Sequence, residues 1–186
     1  MGKGIVEKLR QEYDIVENWI GYELHPEAPP AGKPLASICP GPDADRVLQS
    51  LRAAGAPYGV VFNRIEIVVN SRLALEASEF ARDRGRFTEI HTRLFQAYFR
   101  EGQNIGEKPV ILGLLRELGL DENEFNAAHE QGLYLPRLQR ARELGREYGI
   151  TAVPTFIING KERIVGAQAY RVFQRALENH SGRLGE

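Results

Sequence analysis

The residues best able to do chemistry in this sequence are few: one cysteine, four scattered histidines, and a proline at the mouth of an apolar run. Cys39 stands in Ser37-Ile38-Cys39-Pro40-Gly41-Pro42, just ahead of a stretch with helical spacing. A thiol beside a helix amino end ionises more readily than a free one. A single cysteine, however, closes no intramolecular disulfide and builds no cysteine zinc cluster, so Cys39 reads as a loop thiol. His25, His91, His129 and His180 do not fall at a two-histidine metal spacing, and neither metal nor cofactor is expected. His91 lies beside Ile90, Leu94 and Phe95 and reads as a packed helix residue. His129 and His180 sit near helix ends, where a cation meets the negative end of the dipole. Glu117, Asp121, Glu122 and Glu124 read as solvated faces and caps. No serine occupies a nucleophile elbow, and no glycine-rich loop is set to cradle a phosphate.

The richest stretch is Ile150-Thr151-Ala152-Val153-Pro154-Thr155-Phe156-Ile157-Ile158-Asn159-Gly160-Lys161. Proline has no N–H for a ladder, so it is tolerated at the first position of a strand, where an X-Pro bond can be cis. Asn159-Gly160 is a two-residue hairpin signal, because both residue types accept the positive φ of a type I′ turn. Glu162–Val165 then gives the second strand, and a helix over Gln168–Asn179 follows, with Val172, Phe173, Ala176 and Leu177 at packing positions.

Other elements must hold that stretch in place. Ile5, Val6, Leu9 and Tyr13 predict a helix over Gly4–Tyr13. Val16, Ile20, Tyr22 and Leu24 follow period two and predict a strand. Pro26, Pro29, Pro30, Gly32 and Pro34 make a stiff loop with little room for regular structure. A helix is expected over Asp43–Ala54, and an extended β-branched run over Arg64–Val69. Asn70 or Ser71 should cap a helix carrying Leu73, Ala77, Phe80 and Ala81. The next helix shows Phe87, Ile90, Leu94, Phe95 and Tyr98. A third is expected near Pro109–Leu118, and Asp121 with Glu124 forms a capping-box pattern for a fourth. Leu138, Ala141, Leu144 and Tyr148 line a longer helix that Gly149 ends.

Val153-Pro154-Thr155-Phe156-Ile157-Ile158-Asn159-Gly160, with Gly166-Ala167-Gln168 behind it, resembles the C-terminal signature of DsbA-type thioredoxin-fold oxidoreductases, the last tripeptide being similar to the FrnE-like branch. Asn70–Ala77, Leu94–Phe99 and Asn104-Ile105-Gly106 resemble the helical insertion of that family. The resemblance implies an α/β thioredoxin-like fold: residues 1–70 and 135–186 would form the thioredoxin-like domain and 71–134 the insertion. It also implies a substrate ledge made by Val153, Pro154 and Thr155, with a cis bond before Pro154. An extended disulfide- or thiol-containing peptide, or glutathione, would pair with this ledge. Relatives carry Cys-x-x-Cys after a first strand and before a Gly-Lys dipeptide. Here Gly2-Lys3 holds the dipeptide's place, so the strand and both cysteines would lie before Met1, and the chain as it stands would be inactive. Two alternatives stay open: a non-redox peptide- or glutathione-binding protein, and an enzyme resembling 2-hydroxychromene-2-carboxylate isomerase.

At 186 residues and 42% apolar content the chain supports one domain, or one with an insertion. A net charge of −1 gives no electrostatic case for nucleic acid. No apolar run reaches the ~20 residues of a membrane helix, and the opening residues carry no signal-peptide pattern, which points to the cytoplasm. Without its first strand the sheet would keep open edges. Arg64–Val69 moving into the gap, a strand donated by another copy or a rearranged sheet edge would compensate, and the exposed edges predict a homodimer or an aggregation-prone monomer.

Overall fold

The computed structural model describes residues 1–38, 43–63 and 66–180. Cys39, Arg64 and Ile65 lie outside the described residues, so the reading of Cys39 as a loop thiol finds no test here. The elements run α1 (Gly2–Leu9), β1 (Lys33–Pro34), α2 (Leu35–Ile38), α3 (Asp43–Gly55), a 3-10 turn at Ala56–Tyr58, and β2 (Ile67–Val68). A helical block follows: α4 (Arg72–Arg82), α5 (Phe87–Phe95), which runs on into a π-helical turn at Gln96–Arg100, α6 (Lys108–Glu117), α7 (Glu122–Glu130) and α8 (Leu135–Glu147). The chain closes with β3 (Thr155–Ile158), β4 (Glu162–Val165) and α9 (Tyr170–Glu178). No described helix is long and apolar enough to cross a membrane.

Two apolar cores organise these elements. The larger belongs to the helical block and centres on Ala77, Phe80, Ile90, Ile111, Leu115 and Phe125. The smaller joins Ile5 and Leu9 of α1 to Tyr13, Ile164 of β4, and Phe173, Ala176 and Leu177 of α9, with Phe156 and Ile158 of β3 packed against it. Each large side chain buried in this way contributes roughly 1.5–3 kcal/mol. The helices form where the spacing of their apolar residues places them. Asp121 caps α7 by accepting from the N–H groups of Asn123 and Glu124. Asn70, rather than Ser71, receives the Arg72 N–H at the start of α4. Gly149, at φ 59°, ends α8.

The strands depart from the sequence reading. Among the described residues they form two separate antiparallel pairs, β1 with β2 and β3 with β4. Val16–Leu24 is not a strand: it carries no ladder, and Val16 is 99% exposed. Period-two spacing marks a chain that could enter a sheet, but a ladder needs a second edge alongside. Among the described residues of the Arg64–Val69 run, Ile67–Val68 forms the strand, and it pairs with Lys33–Pro34 rather than filling a gap beside β3. The proline-rich loop therefore does yield a short strand, with Pro34 opposite Ile67 at a sheet edge where its missing donor is tolerated. In the β3–β4 hairpin, Asn159 (φ 50°) and Gly160 (φ 70°) take the expected left-handed conformations. The Lys161 N–H closes the turn on the Ile158 carbonyl at 3.0 Å. The ladder then pairs Ile158 with Glu162, so Lys161 is an extra residue in the connection.

Candidate functional site: the loop before β3 and the amino end of α1

The α8–β3 loop is fixed by short local bonds. Ile150 donates its N–H to the Gly145 carbonyl at 2.7 Å, and the Thr155 hydroxyl donates to the Ala152 carbonyl at 2.7 Å. The Val153–Pro154 peptide bond is cis. The Gly166 N–H reaches the Pro154 carbonyl at 2.8 Å, extending the β3–β4 ladder by one pair, and the Gln168 amide donates to the Val165 carbonyl at 2.8 Å.

This loop stands against the amino end of α1. A Cβ added at Gly2 would lie 3.3 Å from Pro154 Cβ and 3.3 Å from the tip of the Phe156 ring. Such separations are tight, so glycine lets the first turn of α1 approach the proline face. Ile5 donates to the Met1 carbonyl, which leaves the earlier N–H groups of α1 without intrahelical partners. Those donors, with the positive end of the helix dipole, favour an anion near Gly2 and Pro154. Val153, Pro154 and Thr155 thus lie in one loop beside the α1 terminus. Val153 is 47% exposed, and among the described residues its N–H and C=O take no main-chain partner.

Lys3 connects this corner to the helical block. Its ammonium donates to the Thr92 hydroxyl on α5 and lies 3.6 Å from Glu7, while the Thr92 hydroxyl donates in turn to the Thr88 carbonyl at 2.8 Å. Next to Thr92, His91 is enclosed by Trp19 (ring centroids 4.9 Å apart), Phe87 (5.2 Å, stacked) and Phe95 (4.8 Å, edge-on). Phe99 continues the row beyond Phe95 at 5.5 Å. Burial, helped by the charges of Lys3 and Arg82, pushes the His91 imidazole down to about 4. Sequence reasoning missed Lys3 as a bridge and this row of rings. The signal for the row was present, because Phe87, His91, Phe95 and Phe99 recur every four residues. It was hidden by the stronger face of the same helix, on which Ile90 and Leu94 enter the core.

The remaining histidines lie elsewhere. His129, in the last turn of α7, also meets the buried Glu76 at 2.8 Å; His180 pairs with Glu162 at 3.3 Å and His25 with Glu27 at 3.4 Å. Among the described residues no group of acidic, histidine and cysteine side chains is arranged to hold a metal ion.

A family model described as a DSBA-like thioredoxin domain matches residues 1–178. The chain belongs to that family. Protein YwbO of Bacillus subtilis is 33% identical over 183 residues, covering 96% of this chain and 89% of its own. Among solved structures, a probable DsbA oxidoreductase from Streptomyces coelicolor superposes with a TM-score of 0.86 at 21% identity, over 96% of this chain and 82% of its own. A 2-hydroxychromene-2-carboxylate isomerase superposes at 0.73 and 17% identity, over 95% and 86%. At such identities the two structural likenesses speak to the fold. The DsbA-type α/β fold with a helix-rich body is thereby secured, even though its strands are short here.

Proposed function

We propose that this DsbA-type chain carries the substrate-docking part of a thiol–disulfide oxidoreductase, with Val153, Pro154 and Thr155 as the ledge that takes an extended thiol- or disulfide-containing peptide or glutathione. The observation that carries the reading is the seating of Pro154 against Gly2, with the Val153 main chain left free. Peptide recognition by strand addition needs such an unpaired donor and acceptor. In the reaction a thiolate attacks the substrate disulfide, forming a mixed disulfide and releasing one substrate thiolate. A second thiolate attacks the mixed bond and releases the other, so the cysteine pair is oxidised as the substrate gains two electrons. The chain has one cysteine, so these 186 residues hold no cysteine pair, and on this reading the chain alone binds without turnover. The amino end of α1 is where the reactive thiolate would be stabilised. Gly166-Ala167-Gln168, held by the Gln168 bond to Val165, supports placement in the FrnE-like branch. The two cores support treating 1–70 and 135–186 as the thioredoxin-like body and 71–134 as the insertion.

Titration of the isotopically labelled chain with an extended cysteine-containing peptide tests the ledge. The Val153 and Thr155 amides should shift, and N-methylation of the facing peptide amides should weaken binding about tenfold. Shifts confined to other surfaces would remove the assignment. Insulin reduction by the chain alone should stay at background.

A further inference from the structure

The loop that carries Val153 and Pro154 is tied to the β4 side of the hairpin at both ends. Downstream, the Pro154 carbonyl accepts from the Gly166 N–H, just past β4. Upstream, Arg163 of β4 reaches the carboxyl end of α8. Its Nη1 donates to the Tyr148 carbonyl at 2.8 Å and to the Gly149 carbonyl at 2.9 Å. Side chains alternate along a strand, so while Ile164 enters the small core, Arg163 leaves β4 on the opposite face. A helix ends in carbonyls without intrahelical partners and in the negative end of its dipole, and a guanidinium answers both. Gly149 fits the arrangement twice. Its φ of 59° turns the chain out of α8, and a Cβ there would lie 3.1 Å from Arg163 Nη1. The Tyr148 hydroxyl also reaches the hairpin, 3.9 Å from where a Cβ at Gly160 would stand.

The main-chain donors at this end of the loop lead back into α8. Tyr148, Gly149 and Ile150 give their N–H groups to the Leu144, Arg146 and Gly145 carbonyls. Among the described residues, Arg163 is therefore the hydrogen-bonded link between the end of α8 and the hairpin. We propose that Arg163 is a positioning residue for the ledge. By clamping Tyr148 and Gly149 it sets where Val153 stands relative to β3, and so how well the main chain of an extended ligand pairs there. Arg163 need not touch the ligand. It holds the loop in one arrangement before the ligand arrives, which lowers the ordering cost of binding. Its effect on binding rests on the ledge reading; the clamp itself belongs to the free chain.

Arg163→Ala tests the clamp, with Arg175→Ala at an exposed position of α9 as the control for a lost charge. In the free chain, hydrogen exchange at the Ile150 amide should be about threefold to tenfold faster in Arg163→Ala. The Phe156 and Ile158 amides, inside the β3–β4 ladder, should keep their parental rates and report an intact hairpin. The extended cysteine-containing peptide should bind Arg163→Ala about threefold to tenfold more weakly, and Arg175→Ala as it binds the parent. The penalty for N-methylating the facing peptide amides should shrink in Arg163→Ala. A variant that had lost only global stability would keep that penalty, because its folded molecules would pair as the parent's do. Parental exchange at Ile150, or parental affinity with an undiminished penalty, would overturn the inference. If peptide leaves the parent's Val153 and Thr155 amides unshifted, the ledge reading falls, and exchange at Ile150 still decides whether Arg163 clamps the loop.

Discussion

At the scale of the residue, His91 shows how burial sets chemistry. Its imidazole is enclosed by Trp19, Phe87 and Phe95, with Lys3 and Arg82 nearby, and it stays neutral until about 4. In the unfolded chain a histidine titrates near 6.5. Between these values the unfolded state binds the extra proton, so stability is full above about 6.5 and falls as the pH drops toward 4. Because His91 is only partly buried, the loss attributable to it is on the order of 2 kcal/mol or less. His91→Phe keeps a ring in the row and removes the titration. Urea unfolding at a series of pH values should show the slope between pH 4 and 6.5 flattened in the variant, and an unchanged slope would assign the acid sensitivity to other groups. The loop before β3 has the same local character. Its cis Val153–Pro154 bond and the strand from Thr155 were legible because their residue types and order are specific, whereas Lys3, one ordinary lysine in a helical run, gave no sign of reaching α5.

At the scale of the element, the helices follow their own sequences closely and the strands do not. Asp121 closes α7 through two main-chain donors, a bond set that spacing alone foretells. Asp121→Ala should therefore cost about 1 kcal/mol, measured as a shift of the urea midpoint at constant m-value. Asp121→Asn should recover most of it, and a loss equal to that of alanine would mean that charge rather than capping carries the effect. A helix satisfies its hydrogen bonds within one segment, so its pattern is sufficient. Strand pairing is decided by two distant segments, which explains why Lys33–Pro34 and Ile67–Val68 found each other unforeseen while Val16–Leu24 found no ladder. The β3–β4 hairpin was readable for the opposite reason: its partners are adjacent, and Asn159-Gly160 fixes the reversal, leaving only the extra Lys161 unannounced.

At the scale of the whole molecule, the segment that failed to become a strand joins the two cores. Ile15 packs against the small core, and the residues after it run across the helical block. The Trp19 carbonyl accepts from Arg82 at 2.7 Å, Gly21 lies against Leu75, and Tyr22 lies against Gly145. Glu23 completes the attachment: its side chain, 3% exposed, is held by Arg72 of α4 at 3.0 Å and by Arg142 of α8. A carboxylate so buried is stable only with both guanidinium partners. The arginines themselves remain 43% and 36% exposed, so they can return to water if the carboxylate is removed. Glu23→Ala should therefore destabilise the chain by about 1–3 kcal/mol, below the full penalty for breaking a buried pair. The more specific consequence is local. With the anchor gone, residues 14–24 lose their hold on α4 and α8, while both cores keep their apolar contacts. Limited proteolysis should then cut within that segment well before the cores unfold, and Glu17→Ala should serve as a surface control. If cleavage is no faster in Glu23→Ala than in Glu17→Ala, the segment is held by Trp19 and Tyr22 alone, and the two cores are joined by packing rather than by the buried charge.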